Sequence, residues 1–391
     1  MTETYPPEVN GVASTVAHWV AGLRAQDYLV SIVRPRQQSF DSPRMNFDPM
    51  VTLVPGLPIP GYRDLRFGWP AGGVLARRWA VQRPDAVYVA TEGPLGWSAV
   101  RIARRLGIPT IGGFHTNFHS YCSHYRVSWL RPLIFRYLCH FHSRTAGTLV
   151  PSADLRTRLE GMGLRNVSVL GRGVDSELFS PQRRSARLRH IWHASDNDLV
   201  LLYVGRVAGE KNLQLAVEAY RAMKQRSAAV KFVIVGDGPL RGALQSKHPD
   251  LVFCGVQTGK KLAEHYASAD VFLFPSETET FGNVTLEAMA SGLAVVAYDY
   301  AAAHMHILDG MSGVLVPCGD STAFIESAVA LVGTPETLAR MRRQARQYAI
   351  SLHWKGVVER FARILMKPLD ADRDGRMALA SEPIEVAPLE V

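Results

Sequence analysis

Glu279 and Glu287 stand eight residues apart, on either side of Gly282-Asn283. Carboxylates placed this way can accept hydrogen bonds from hydroxyls, one on a sugar and one on a ribose. Phe281-Gly282-Asn283-Val284 reads as the start of a short helix, with Asn283 a suitable cap. The free N–H groups and positive dipole end of such a start suit a pyrophosphate. Upstream, Gly205-Arg206 and Lys211-Asn212 place two cations five residues apart. Fixed positive charge of this kind neutralises a departing nucleoside diphosphate, so the chemistry needs no divalent ion. By spacing alone, the glutamates also fit a solvated loop and a helix surface, and Arg206 and Lys211 also fit an exposed loop.

The elements around these residues are those of a doubly wound sheet. The apolar run 271–274 reads as a buried parallel strand, with Glu279 in the polar loop at its carboxyl end. A helix over 284–290 follows, and Gly292 sits where a C-terminal glycine belongs. Residues 199–204 form a nearly continuous apolar strand ending at Gly205. Gly236-Asp237-Gly238-Pro239 follows a strand over 231–235. It fails as a dinucleotide fingerprint, because Arg241 takes the third glycine position and Pro239 interrupts the turn. The loop instead reads as part of a base pocket, together with Phe253-Cys254-Gly255. Further strands are expected over 251–254, 294–298 and 314–316. In the first half, strands are expected over 29–34, 50–54, 85–90, 108–112, 149–151 and 167–170. Helices over 11–24, 96–106 and 153–162 alternate with them, and 56–66 reads as a Pro/Gly-rich loop. Each half is an α/β unit of the same kind.

The run 276–296 resembles the E-x7-E signature of the family-4 retaining glycosyltransferases, with Ala294 where proline is more usual. The resemblance recurs at 8–12, 112–118, 171–179 and 205–212, and extends to about residue 367. It is nearest in look to GDP-mannose-dependent α-mannosyltransferases and sulfoquinovosyl-diacylglycerol synthases. It implies a GT-B fold: two doubly wound Rossmann-like domains facing a central cleft. Residues 1–175 would bind the acceptor, with 352–367 crossing back as a helix, and 176–351 would bind the donor. It implies transfer of a hexosyl unit with retention, most simply mannosyl from GDP-mannose, to a lipid or polyol-lipid acceptor. A UDP-sugar-dependent diacylglycerol glycosyltransferase and a nucleotide-sugar epimerase on the same scaffold are the alternatives. It assigns Glu279 to the sugar hydroxyls, Glu287 to the ribose, Arg206 and Lys211 to the diphosphate, and His115 to the transferred sugar. Gly11, Gly205, Gly238, Phe281, Gly282, Asn283 and Val284 would line the donor, and no metal or cofactor is implied. Glu92 is read as orienting an acceptor hydroxyl, whereas His119, His124, His140 and His142 are read as surface or helix residues.

At 391 residues, 47% apolar and 20% charged, the chain is long enough for two sizeable cores. Four cysteines without C-x-x-C spacing argue for reduced thiols in a cytoplasm, against a zinc site or a disulfide frame. No signal-like segment opens the chain, and no run approaches the ~18 apolar residues of a membrane span. The net charge of +9 is uneven. Residues 1–172 hold twenty arginines, no lysine and ten acids, whereas the remainder is close to neutral. A basic first half suggests an anionic partner. With the resemblance, that partner is the inner face of the cytoplasmic membrane rather than nucleic acid, met peripherally near 60–66. Residues 129–144 interleave arginines with aromatics, as an interfacial helix would. The reading preferred here is a core helix burying Leu133, Phe135, Leu138 and Phe141. The tail 368–391 reads as disordered. Gly11 comes only ten residues into the chain, which resembles the loop after a first strand with the strand itself missing. The native chain is therefore expected to begin upstream of Met1, by about five to eight residues.

Overall fold

The computed structural model describes residues 1–366, apart from 7, 9, 38–47, 49, 60–61, 116–130 and 280. The expected tail, residues 116–118 of the His115 loop, His119, His124 and the tip of the 56–66 segment lie outside the described residues. The chain divides into two compact units. Unit 1 comprises the described residues up to His115, Pro132–Gly171, and the chain from Val358 onward; unit 2 is Arg172–Val357 with Arg131.

Unit 1 contains β1 (Ile32–Pro35), β2 (Val51–Val54), β3 (Gly56–Ile59), β4 (Tyr62–Gly68), β5 (Val87–Val89), β6 (Thr110–Gly113), β7 (Gly147–Val150) and β8 (Val167–Val169). Its helices are α1 (Gly11–Arg24), α2 (Gly72–Val81), α3 (Pro94–Arg105), α4 (Arg131–His142) and α5 (Ala153–Gly161). β1 and β2 pair in parallel, and β5-β6-β7-β8 form a separate parallel sheet. Met1 and Thr2 lie between the two sheets. Thr2 N donates to Val33 O at 3.1 Å, and Ala90 N donates to Met1 O at 2.9 Å. Among the described residues no strand precedes α1. That helix begins where expected, because Asn10 caps it by accepting from Ala13 N at 2.8 Å. Residues 56–59 and 62–66 are not loop. They are strand, in an antiparallel pair of β3 and β4 with a register shift at Pro58/Ile59.

Unit 2 contains β9 (Leu199–Val204), β10 (Val230–Val235), β11 (Val252–Phe253), β12 (Val271–Phe274), β13 (Ala294–Tyr298) and β14 (Gly313–Val316). Its helices are α6 (Ala186–Ile191), α7 (Leu213–Arg226), α8 (Arg241–Lys247), α9 (Gly259–Ser268), α10 (Asn283–Ala290), α11 (Ala301–His306), α12 (Ser321–Ala330) and α13 (Pro335–Ser351). All six strands are parallel, in the order β11-β10-β9-β12-β13-β14. Helices cover both faces of such a sheet, so its central strands are apolar throughout: Val200 to Tyr203, Val271 to Leu273 and Ala294 to Val296 are inaccessible. One buried charge cluster anchors the amino end of β12. Asp270 receives Arg184, Arg189 and Arg342, and its Oδ2 also accepts from Val200 N at 2.9 Å.

The final helix, α14 (Trp354–Met366), starts in unit 2 and continues in unit 1. There Phe361 stacks on Trp19 of α1, with ring centroids 4.4 Å apart. The two helices meet at Gly22, where a Cβ would lie 2.6 Å from the Val358 side chain. Helix α4 buries Leu138 and Phe141 as expected, but Leu133 is 65% exposed.

Candidate functional site

In unit 2, β9 lies at the centre of the sheet, and the order reverses between β9 and β12. In open α/β sheets, the crevice beyond the carboxyl ends of such a strand pair is where ligands bind. Gly205-Arg206 leaves β9 there, and the Ser276–Glu279 loop leaves β12 there. Three of the four residues expected to act in catalysis thus meet at one strand pair. The Lys211 ammonium forms an ion pair with Glu279 and donates to Thr278 O at 3.3 Å. Ser276 Oγ donates to the same Glu279 oxygen at 3.1 Å. The Arg206 guanidinium pairs with Glu210, whose side chain is 3% exposed. Both cations are therefore held by carboxylates and stand at the rim rather than projecting freely.

Helix α10 starts beside them. Its cap is Gly282, at φ +94°, a left-handed conformation that glycine adopts without strain. Asn283 is the first helical residue and not the cap. A glycine cap has no side chain to occupy the first helical N–H groups, so these can serve an anion. The Asn283 side chain does other work: its Oδ1 accepts from Arg172 Nη1 at 2.9 Å. The Arg172 guanidinium also lies over the Phe281 ring, 5.2 Å from its centre. Val284 packs against the unit-2 core. One turn on, Glu287 Oε2 accepts from Tyr266 OH at 3.0 Å. Burial pushes the Glu287 carboxyl up to about 7.

The loops after β9 and β10 are paired by their backbones. Val207 N donates to Asp237 O at 2.9 Å, and Leu240 N donates to Val207 O at 3.1 Å. A Cβ at Gly238 would lie 2.4 Å from Val207 O, so only glycine permits this approach. Gly205 sits in the same close packing, under the Gly236 backbone. Asp237 and Arg241 close the loop with a 2.9 Å ion pair.

Unit 1 holds the other candidates. Gly11 is the first residue of α1 and is exposed. His115 is 5% exposed, tucked beside Trp19, with Nε2 2.5 Å from Tyr88 OH. Gly113 makes that bond possible, since a Cβ there would meet Tyr88 OH at 1.9 Å. Glu92 is not placed to orient an acceptor. It is buried, and its carboxylate lies 3.3 Å from Nε2 of His142, the last residue of α4, which is itself buried. Nδ1 of His142 lies 3.1 Å from Thr148 Oγ1. Glu3 reaches across to accept from Leu95 N at 3.1 Å, serving as a cap for α3. Burial pushes its carboxyl up to about 7. Among the described residues no three His, Cys, Asp or Glu side chains are grouped to hold a metal, and no helix is long and apolar enough to cross a membrane.

The family model for glycosyltransferase family 4 matches residues 9–178, and that for glycosyl transferases group 1 matches 198–334. A GDP-mannose-dependent alpha-mannosyltransferase of Mycobacterium tuberculosis is 34% identical over 332 residues, spanning 84% of this chain and 86% of that protein. The chain belongs to the family-4 glycosyltransferases. An alpha-monoglucosyldiacylglycerol synthase of Streptococcus pneumoniae is 28% identical over 351 residues, covering 86% and 78% of the two chains. Among solved structures, sucrose-phosphate synthase from Thermosynechococcus elongatus superposes with a TM-score of 0.74 at 16% identity, over 93% of this chain and 95% of that one. The fold of this glycosyltransferase is GT-B.

Two residues beside the candidate site carry no clear local sequence signal. Arg172 lies 111 residues from Asn283. Glu210 is visible only as the acid of a G-R-x-x-x-E-K-N run, with nothing to say that it holds Arg206.

The raised carboxyl of Glu287 has a testable consequence. Its ordinary value is 4.5 and its folded value about 7. Between those pH values the folded chain keeps a proton that the unfolded chain has released, so stability falls as pH rises through the window and levels off above it. Glu3 adds slope of the same sign. Glu287→Gln, which can still accept from Tyr266, should flatten the melting temperature between pH about 4.5 and 7. A slope equal to wild type would show that Glu287 is charged in the folded state.

Proposed function

We propose that the enzyme transfers a mannosyl unit from GDP-mannose, with retention of configuration, to a lipid or polyol-lipid acceptor at a membrane surface. The observation that carries this reading is the meeting of Arg206, Lys211, Glu279 and the glycine-capped start of α10 at the β9/β12 reversal. The M. tuberculosis relative supports the donor, and the S. pneumoniae relative, a diacylglycerol glycolipid synthase by name, supports a lipid acceptor.

In the reaction so proposed, the bond between the sugar's anomeric carbon and the β-phosphate oxygen breaks, and the electron pair leaves with the diphosphate. Negative charge grows on that oxygen as it departs. Arg206, Lys211 and the first N–H groups of α10 stabilise it, with donors fixed before the charge develops. Lys211 has three N–H bonds, and pairing with Glu279 and Thr278 O leaves one to meet the diphosphate. The acceptor oxygen bonds to the anomeric carbon, and its proton passes to the departing phosphate oxygen. Glu279 holds sugar hydroxyls and Glu287 holds the ribose, while Gly205, Gly238, Phe281 and Val284 shape the donor's bed. On unit 1, His115 and Gly11 are the residues we assign to the reaction.

Calorimetry with GDP and UDP tests the base, with tighter binding of GDP expected. Tighter binding of UDP would favour the second reading, a UDP-sugar-dependent diacylglycerol glycosyltransferase, which the S. pneumoniae relative also fits. The two glutamates separate in the same measurement. Glu287→Ala should weaken binding of the free nucleotide, whereas Glu279→Ala should keep it and lose discrimination among sugars. The reverse pattern would exchange their roles.

A further inference from the structure

Helices α3 and α4 of unit 1 lie side by side and present one continuous basic and aromatic face. On α3, Trp97, Arg101, Arg104 and Arg105 follow at helical spacing and point to the same side. On α4, Leu133, Tyr137 and His140 do the same, and Arg144 comes one turn later. The Trp97 ring joins the two rows. It stacks on His140 with centroids 5.5 Å apart, lies 6.3 Å from the Tyr137 ring, and carries the Arg144 guanidinium 5.5 Å from its centre. Trp97, Val100 and the four arginines line an open groove of about 520 Å³. Arg101, Arg104 and Arg105 are exposed and make no ion pair among the described residues. The surrounding sequence is as one-sided as the groove: residues 93–153 contain seven arginines and not one acid.

A domain gains nothing in stability from four uncompensated arginines around one groove, because like charges at this spacing repel. Beside them Leu133 is 65% exposed, and Tyr137, whose hydroxyl donates to Glu92 O, is still 42% exposed. Guanidinium groups suit phosphate oxygens, and an aliphatic and an aromatic side chain beside them suit the boundary between headgroups and acyl chains. A small free anion would use the arginines and leave Leu133 in water. A nucleic acid would use the arginines and Trp97, with no need of Leu133. We propose that this two-helix face is the surface by which the enzyme docks on an anionic phospholipid bilayer, with lipid phosphates in the Arg101/Arg104/Arg105/Arg144 groove and Leu133 and Tyr137 inserted beside it. This assigns a membrane-contact site to α3 and α4. It does not depend on which nucleotide sugar the enzyme uses.

The test is co-sedimentation of the full chain with vesicles at fixed ionic strength. Each arginine near an anionic surface contributes about 1 kcal/mol, or roughly fivefold in partitioning. Replacing Arg101, Arg104 and Arg105 by alanine should therefore lower binding to phosphatidylglycerol vesicles by about a hundredfold. Leu133→Ser should weaken it further, and pure phosphatidylcholine vesicles should bind little of any form. An equal loss of charge on unit 2, Arg226, Arg340 and Arg343 to alanine, should leave most of the binding intact. All these side chains are exposed, so melting temperatures should stay near wild type and separate a docking defect from unfolding. Wild-type binding by the unit-1 triple variant, or an equal fall in the unit-2 control, would overturn the proposal. So would an unchanged partition for Leu133→Ser combined with tighter binding of a short single-stranded oligonucleotide than of vesicles.

Discussion

Lys211→Ala and Arg206→Ala should each lower kcat/KM by roughly two to three orders of magnitude, the usual consequence of removing a fixed charge that stabilises a developing anion. The two variants should differ in everything else. Lys211 pairs with Glu279, so its loss also leaves a carboxylate beside the diphosphate without its cation. Arg206 is the partner of Glu210, which is almost wholly buried. Removing one member of such a pair strands the other in a poorly solvated position. Arg206→Ala should therefore lose stability as well as rate. Adding Glu210→Gln to Arg206→Ala removes the stranded charge, and should bring the melting temperature back toward wild type while the rate stays low. If the double variant recovers activity along with stability, Arg206 acts only by holding its loop, and the diphosphate role is wrong. Full kcat/KM in Lys211→Ala would remove that residue from the chemistry in the same way.

The largest loss of stability is expected at Asp270. Three arginines converge on this one carboxylate, and Arg189 among them is only 2% exposed. Arg189 also donates to the carbonyls of Ser195, Asp198 and Ser268, so the cluster ties α6 and the chain before β9 to the end of α9. Asp270→Ala leaves a guanidinium in the interior with its backbone acceptors but no counter-charge. Breaking a buried pair from one side costs about 3–5 kcal/mol. Urea unfolding of the variant should show that loss. A change below about 1 kcal/mol, as at an exposed pair, would mean that water reaches Arg189.

The parts of this protein that could be read from its sequence are those whose cause is local. The strands 199–204, 271–274 and 294–298 have the bounds expected of them, because a parallel strand covered on both faces must be apolar along its whole length. Helix α1 begins at Gly11 because Asn10 sits directly before it and caps it. The misreadings have equally physical origins. Pro58 and the charged residues of 62–66 hide the β3/β4 hairpin, since a two-stranded edge tolerates both proline and charge. Leu133 was expected in the core from its type, but the helix turns it to solvent. Asn283 has the type of a cap, yet Gly282 takes that position and Asn283 is held by Arg172. The tuning groups around the candidate site, Arg172, Glu210 and Tyr266, act through pairs that only folding creates. Their types carry no sign of the role.

The central claim is that this family-4 glycosyltransferase moves mannose from GDP-mannose onto a lipid with retention. Proton NMR of the purified full chain, incubated with GDP-mannose and an extract of polar lipids in vesicles, tests it most directly. The expected result is release of GDP only when the lipid is present, with the new lipid-bound mannose showing the larger one-bond C1–H1 coupling of an α-mannoside. A β-linked product would contradict retention. Stable GDP-mannose alongside turnover of a UDP-sugar in the same mixture would contradict the donor.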